Sequence, residues 1–356
     1  MPGCRHRRRG KAESAGTRPV DRRDAARALT TAPEDFASPH HDVIEHVFDN
    51  PRTIGSSGHE VRSTTVSSLL RRLVSRLRPS PSSPDAAPAG PPTDYPASPW
   101  DPFPEPGDNA VTCNICHWRG DGFEGGPHSE AATCPACGSI ARDRFLFWAL
   151  QRHVEPCLGA RVLETSPRMG HHYRAVMAGW FDYRCSDFDL RAHVADIQID
   201  LQAIDLPDDS IDIVMTPHVL EHVPDFETAL AELSRVIAPG GTLILQVPVL
   251  QGHTAPPVEP EFHGDDTPVF WRFGPGLTDH LASAGFEAEL LATAEIVDAA
   301  ATGRSDLPSP PEVDGPAVIA ALADHPATAT ADRVEARRHG FEPALHFFTW
   351  IARHAG

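Results

Sequence analysis

Four cysteines carry the strongest chemical signal in this 356-residue chain: Cys113 and Cys116 form one Cys-x-x-Cys pair, Cys134 and Cys137 a second, with 17 residues between the pairs. Each pair sets two thiolates on one tight knuckle, and four thiolates satisfy the tetrahedral preference of zinc. Gly138, directly after the second pair, supplies backbone freedom that such knuckles use. A redox pair or unbound thiols are the alternatives, and the spacing favours metal over both. Four protein ligands leave no open position, so the site reads as structural Zn2+, with folding of this segment dependent on the metal. His117 and His128 are then bystanders, and Cys4, Cys157 and Cys185 have no paired spacing.

A second constellation points to a nucleotide-like cofactor. The run RVLETSPRMG (161–170) places Glu164 at a strand end, then a loop, then Gly170 before a helix. YRCSDFD (183–189) places Asp187 at the end of the next strand, about 20 residues on, where an acid grips ribose hydroxyls. Ligands of open α/β sheets bind at the carboxyl edge, where the strand order reverses.

The elements needed to position these acids are legible as alternation. Strands are predicted at Arg161–Glu164, Asp182–Ser186, Ile211–Thr216, Thr242–Val247 and Phe286–Leu291, with a last one at Ala344–Ile351. Helices are predicted over 139–154, Asp225–Ile237 (stopping at Pro239-Gly240-Gly241) and about 276–284. Such alternation predicts an α/β fold with a mostly parallel sheet covered on both faces. Residues 249–274 read as a long loop over the carboxyl edge, and the Pro- and Ala-rich stretch 300–340 as partly helical.

The run IDLPDDSIDIVMTPHVLEHVPDFETALAELSRVIAPGGTLILQVPV (204–249) resembles the type 11 family of class I methyltransferases in its DDSIDIV, HVLEHV, AL-x-E-x-x-RV and PGG pieces. The upstream pattern CP-x-CGS-x-x-R-x-R is similar to a bacterial subset carrying an N-terminal zinc ribbon, so the likeness covers about residues 111–292. It implies a Rossmann-like doubly wound sheet whose last strand runs antiparallel, and methyl transfer from S-adenosylmethionine to O, N or C. By the same resemblance Glu164 faces the methionine amine, Asp187 binds the ribose, and Asp200 with Leu201 lies near the adenine. Thr216, Pro217 and His218 line the cofactor and the transfer site. The chain departs from the family where Ser166 and Arg168 replace motif glycines, leaving Gly170. Ser166 then means either a shifted loop or a cofactor contact made differently, and Arg168 is read as solvent-exposed in preference to a partner of the methionine carboxylate. For a hydroxyl or amine acceptor, His218 and His222 are the candidate bases, because histidine titrates near neutral pH. Selectivity falls to the long loop, with His253, His263, Asp265, Asp266, Phe270 and Trp271.

Charge bears on the acceptor. The chain carries net −18; residues 1–110 hold 15 Lys+Arg and 14 Asp+Glu, leaving a net −19 beyond them. Phosphate-backbone binding wants the opposite sign, so nucleic acid is disfavoured and a small molecule or glycan preferred. An RNA methyltransferase with a zinc module and a non-catalytic cofactor-binding or scaffolding protein are the alternatives. Residues 1–110 read as a disordered tail, with 11 prolines between Pro79 and Pro106 making a stiff spacer, and folded protein is expected from Val111. Within the tail, 64–78 (TTVSSLLRRLVSRLR) reads either as a basic amphipathic helix for an anionic membrane surface or as a transient helix. No secretory signal or spanning segment is read, which gives a cytoplasmic expectation, peripheral to the inner membrane surface if 64–78 binds it. The domain boundaries that follow are 1–110 for the tail, 111–157 for the zinc-ribbon module and linking helix, and 158–356 for the methyltransferase domain.

Overall fold

The structure, a computed structural model, describes residues 95–103, 110–125, 132–190, 195–263, 266–304, 306–307, 311–341 and 348–356. The segment 64–78, His128, Asp265 and the first residues of the predicted last strand lie outside them.

Two short strands, β1 (Val111–Thr112) and β2 (Arg119–Gly120), form an antiparallel pair in the cysteine module, and helix α1 (Ala141–His153) follows. The packed chain begins ahead of Val111. Phe103 stacks on Trp148 of α1, and the Trp100 indole N–H donates to the Val154 carbonyl at 3.0 Å. The prolines there conceal these anchors, because the contacts come from aromatic residues spaced too irregularly to show a period.

The remaining chain builds an eight-stranded sheet from β3 (Arg161–Thr165), β4 (Asp182–Asp187), β5 (Ile197–Gln198), β6 (Ile211–Pro217), β7 (Ile237–Gln246), β10 (Phe286–Thr293), β11 (Ala327–Ala331) and β12 (Thr349–His354). A small hairpin of β8 (Glu261–Phe262) and β9 (Pro268–Val269) stands apart in the long loop. The spatial order is β11-β10-β12-β7-β6-β3-β4-β5, and the central pairings from β5 to β7 are parallel. β12 returns antiparallel between β7 and β10, as expected of the last strand. The chain steps outward from β3 through β4 to β5, then restarts at β6 on the other side of β3. The order therefore reverses between β3 and β6, which opens a crevice at the carboxyl edge of these strands.

Side chains alternate between two cores, as a sheet covered on both faces requires. Leu163, Val214, Leu243 and Leu245 join one; Val162, Ile213, Met215 and Ile244 join the other. The first is closed by α3 (Phe226–Val236), whose Phe226, Ala229, Leu230, Leu233 and Val236 fall on a single helical stripe. Asp225 caps this helix by accepting the Thr228 N–H at 3.0 Å. The second core receives α1, α2 (His171–Trp180) and three of the cysteines. Helices α4 (Leu277–Ser283), α5 (Ala294–Thr302), α6 (Gly315–Ala321) and α7 (Arg333–His339) complete the domain.

Two differences from the sequence reading have physical causes. Pro239-Gly240-Gly241 does not end the helix; it makes a bulge inside β7, whose pairing jumps from Ile211↔Ile237 to Ile213↔Thr242. Gly240 has φ of 78° there, and a Cβ on Gly241 would lie 2.8 Å from the Asp212 carbonyl oxygen. The strand β11 (ATATA) was hidden in the 300–340 stretch because it has no large apolar residue. No helix among the described residues is long and apolar enough to cross a membrane.

Candidate functional site

The four cysteine sulfurs lie within 4.8 Å of one another, with Cys113–Cys137 and Cys116–Cys134 both at 3.7 Å. Zinc–sulfur bonds of about 2.3 Å in a tetrahedron require sulfurs about 3.8 Å apart, so the donor set fits zinc. The knuckles are equivalent. The Cys113 N–H donates to Trp118 and the Cys134 N–H to Ser139, each at 2.8 Å. His117 and Gly138 close the two turns at φ of 58° and 74°. His117 thus occupies a glycine's conformation, its ring edge-on to Phe103.

Arg144 locks this module to the rest of the domain. It is fully buried, its guanidinium donating to the carbonyls of Ser139 (2.7 Å), Ala132 (2.8 Å) and His339 (2.7 Å) and covering the Phe123 ring at 3.7 Å. A buried cation needs such full satisfaction and a nearby negative charge. Four thiolates around a divalent metal would supply that net negative charge beside it.

At the sheet edge, Glu164 is buried, and its Oε2 accepts from the Tyr183 hydroxyl at 2.9 Å and the Tyr173 hydroxyl at 3.2 Å. Burial pushes its carboxyl up to about 7, against the two phenolic hydrogen bonds that pull it down. Ser166 holds φ of 44°, and its N–H donates to the Ser186 carbonyl of β4 at 2.7 Å. A serine thus holds a left-handed turn of the kind glycine enters most readily. Gly170 precedes α2 with φ of −68° and open space where a Cβ would stand. Asp187 is buried at the end of β4 and accepts the Asp189 N–H at 2.9 Å. Asp200 accepts the Gln202 N–H at 2.9 Å in a tight turn, while Leu201 is buried in the first core. Thr216 is buried and accepts from the Thr165 hydroxyl at 3.0 Å, tying the ends of β3 and β6.

The segment HVLEHV forms a single 3-10 turn, Leu220–His222, against the long loop. His218, with φ of 51°, lies 3.7 Å from Glu221 Oε1 through Nδ1, and His222 Nε2 lies 3.8 Å from the same oxygen. His222 Nδ1 donates to the Pro268 carbonyl at 2.7 Å, which leaves Nε2 as its second proton site. His263 meets His222 edge-on at 4.7 Å between ring centres, and the Phe270 N–H donates to the Glu221 carbonyl at 2.8 Å.

The structure thus brings the two candidate histidines together and adds Glu221 between them. From its type and place in HVLEHV, Glu221 reads either as a helix-surface residue or as a support behind the histidines; it is 1% exposed, because the 3-10 turn and the covering loop bury it, which excludes the first. Arg168 is exposed, as expected, and it also pairs with Asp143 of α1. Tyr173 and Tyr183, the partners of Glu164, carried no sequence signal beyond their types.

Residues 173–245 match the family model described as a methyltransferase domain, a match that begins just past the glycine-poor loop. The chain matches no curated protein. Among solved structures it is similar to an S-adenosylmethionine-dependent methyltransferase from Mesorhizobium loti, 16% identical over 59% of this chain and 97% of that one, with TM-score 0.34. It is also similar to 1,6-didemethyltoxoflavin-N1-methyltransferase from Burkholderia thailandensis, with bound 1,6-didemethyltoxoflavin and S-adenosylhomocysteine, 16% identical over 42% of this chain and 68% of that one, with TM-score 0.33. The matched segment identifies a methyltransferase domain, and it spans β4 to β7 of the central sheet.

Proposed function

We propose that the protein transfers a methyl group from S-adenosylmethionine to an O, N or C atom of a small-molecule or glycan acceptor, with zinc at Cys113, Cys116, Cys134 and Cys137 holding its N-terminal module. One observation carries the cofactor site: at the reversal of strand order, the left-handed turn at Ser166 is pinned to β4 between two buried acids, Glu164 and Asp187. When bound, the cofactor supplies a methyl already activated on a sulfonium sulfur. The chain's task is then to hold donor and acceptor in line, an effect that can supply about 7–11 kcal/mol of barrier reduction.

In this reading Asp187 accepts from the ribose hydroxyls, Glu164 meets the methionine ammonium, and Ser166 and Gly170 bring backbone close to the cofactor. Asp200 and Leu201 flank the adenine, and Thr216 supports the strand end from within. His218 or His222 takes the acceptor's proton, and Glu221 orients both rings and stabilises the imidazolium that forms. Glu221→Gln keeps the shape and removes the charge. We expect it to lower kcat roughly 10- to 100-fold and shift the pH–rate profile, while cofactor affinity stays as in the wild type. An unchanged kcat would remove Glu221 from the mechanism.

The net −19 beyond residue 110 supports a non-nucleic-acid acceptor. A basic 64–78 segment contacting an anionic membrane would suit a lipid-linked glycan, with the protein on the cytoplasmic side. The test is incubation with methyl-labelled S-adenosylmethionine and fractionated cell extract. Label in the small-molecule or glycan fraction is the expected result, and label released by ribonuclease would overturn the acceptor class.

A further inference from the structure

Arg168 sits in the middle of the loop assigned to the cofactor, yet its side chain turns away toward the cysteine module. Its Nη2 donates to the Gly138 carbonyl at 3.0 Å, and its guanidinium pairs with the Asp143 carboxylate through Nη2 and, at 3.4 Å, Nε. Both anchors are themselves fixed. Gly138 follows Cys137 in the second knuckle, and its own N–H donates to the Cys134 carbonyl at 2.8 Å. Asp143, its side chain only 9% exposed, accepts the Ile140 N–H at 2.9 Å and so closes the first turn of α1. The neighbouring Met169 is buried in the same core as Cys113, Cys116 and Cys134. Two consecutive loop residues therefore lean on the cysteine module, one by charge and one by packing, while Ser166 ties the loop's start to β4.

We propose that Arg168 is a positioning residue: it fastens the cofactor loop to the second cysteine knuckle, so that metal at the cysteines and S-adenosylmethionine at the sheet edge stabilise one another. This rests on the cofactor reading given above. A knuckle loosened by loss of metal releases the Gly138 carbonyl and the N-terminal turn of α1, and the loop loses both fixed points. Coupling of this kind is reciprocal, because each ligand changes the other's affinity by the same factor.

The experiment measures both affinities on the full chain. In the zinc-loaded wild type, saturating S-adenosylhomocysteine should raise the chelator concentration needed to strip zinc about five- to tenfold, the low end expected for a coupling carried by a pair whose arginine is exposed. Arg168→Ala should still hold one zinc, bind S-adenosylmethionine about five- to tenfold more weakly, and lose that protection. Asp143→Asn, which keeps an oxygen for the Ile140 N–H, should behave likewise, and Arg168→Lys should fall between. Arg168→Ala matching the wild type in both affinities would overturn the coupling alone. Absence of S-adenosylmethionine binding by the zinc-loaded wild type would overturn both the coupling and the cofactor reading.

Discussion

Cys113→Ser should strip the protein of its zinc and lower its unfolding midpoint by on the order of 10 °C or more, at about 2–4 °C per kcal/mol for a domain of this size. Zinc held by four thiolates contributes roughly 10–16 kcal/mol to the folding of an isolated module, and a serine hydroxyl is a poor replacement for a thiolate. The loss should not stay local. Cys113, Cys116 and Cys134 share a core with Phe147 and Leu150 of α1, Val162 of β3, Met177 of α2 and Ile213 of β6. Arg144 extends the connection to the carbonyl of His339 at the end of α7. Cys157→Ser is the control, since Cys157 lies outside the cluster and its loss should leave metal content at one equivalent. Elemental analysis and thermal unfolding of the two variants check this. Full zinc and an unshifted midpoint in Cys113→Ser would show that the cluster is not a metal site.

Glu164 gives the second large effect, and it has a definite sign. Burial lifts it to about 7, above the ordinary glutamate value of 4.5, so the protonated form is the one the fold prefers. Its stabilising contribution is complete below pH 4.5 and is lost as pH rises through 7, on the order of 3 kcal/mol at most. Glu164→Gln removes that titration. The variant should match the wild type near pH 5 and exceed it in stability near pH 8, when both are measured by denaturant unfolding without cofactor. Ligand binding reverses the preference, because a methionine ammonium rewards the ionised carboxylate. Wild-type affinity for S-adenosylmethionine should therefore strengthen between pH 6 and 7, at most about tenfold per pH unit, until the ligand's own amine deprotonates near roughly pH 8. Glu164→Gln should lack this dependence. A wild-type affinity that is flat from pH 6 to 7 would mean that Glu164 does not meet the cofactor's charge.

What was legible in the sequence depended on how local its cause is. β3 and β6 could be read because buried parallel strands have apolar centres bounded by polar ends, and α3 because its stripe repeats every three to four residues. The cysteine cluster could be read because the ligand spacing is set by single knuckles. The strand-end acids Glu164 and Asp187 could be read because a strand's last residue fixes their place at the edge. The rest involves contacts between distant segments. The buried state of Glu221 comes from a loop some 50 residues downstream folding over it, and the partner of Arg168 lies 25 residues upstream. Residue type was also a poor guide at Ser166, where φ of 44° and the bond to Ser186 hold a serine in the left-handed region that glycine enters most readily. Holding a non-glycine there costs about 1–2 kcal/mol, which the surrounding hydrogen bonds must offset.

The cofactor site is measured by calorimetric titration of S-adenosylmethionine into the zinc-loaded protein and its Asp187→Ala variant. The wild type should show one site and, with the ribose acid removed, affinity should fall roughly ten- to a hundredfold at unchanged zinc content. Folded, zinc-loaded wild-type protein that binds no S-adenosylmethionine, or an Asp187→Ala variant that binds it equally well, would contradict a cofactor site at Asp187.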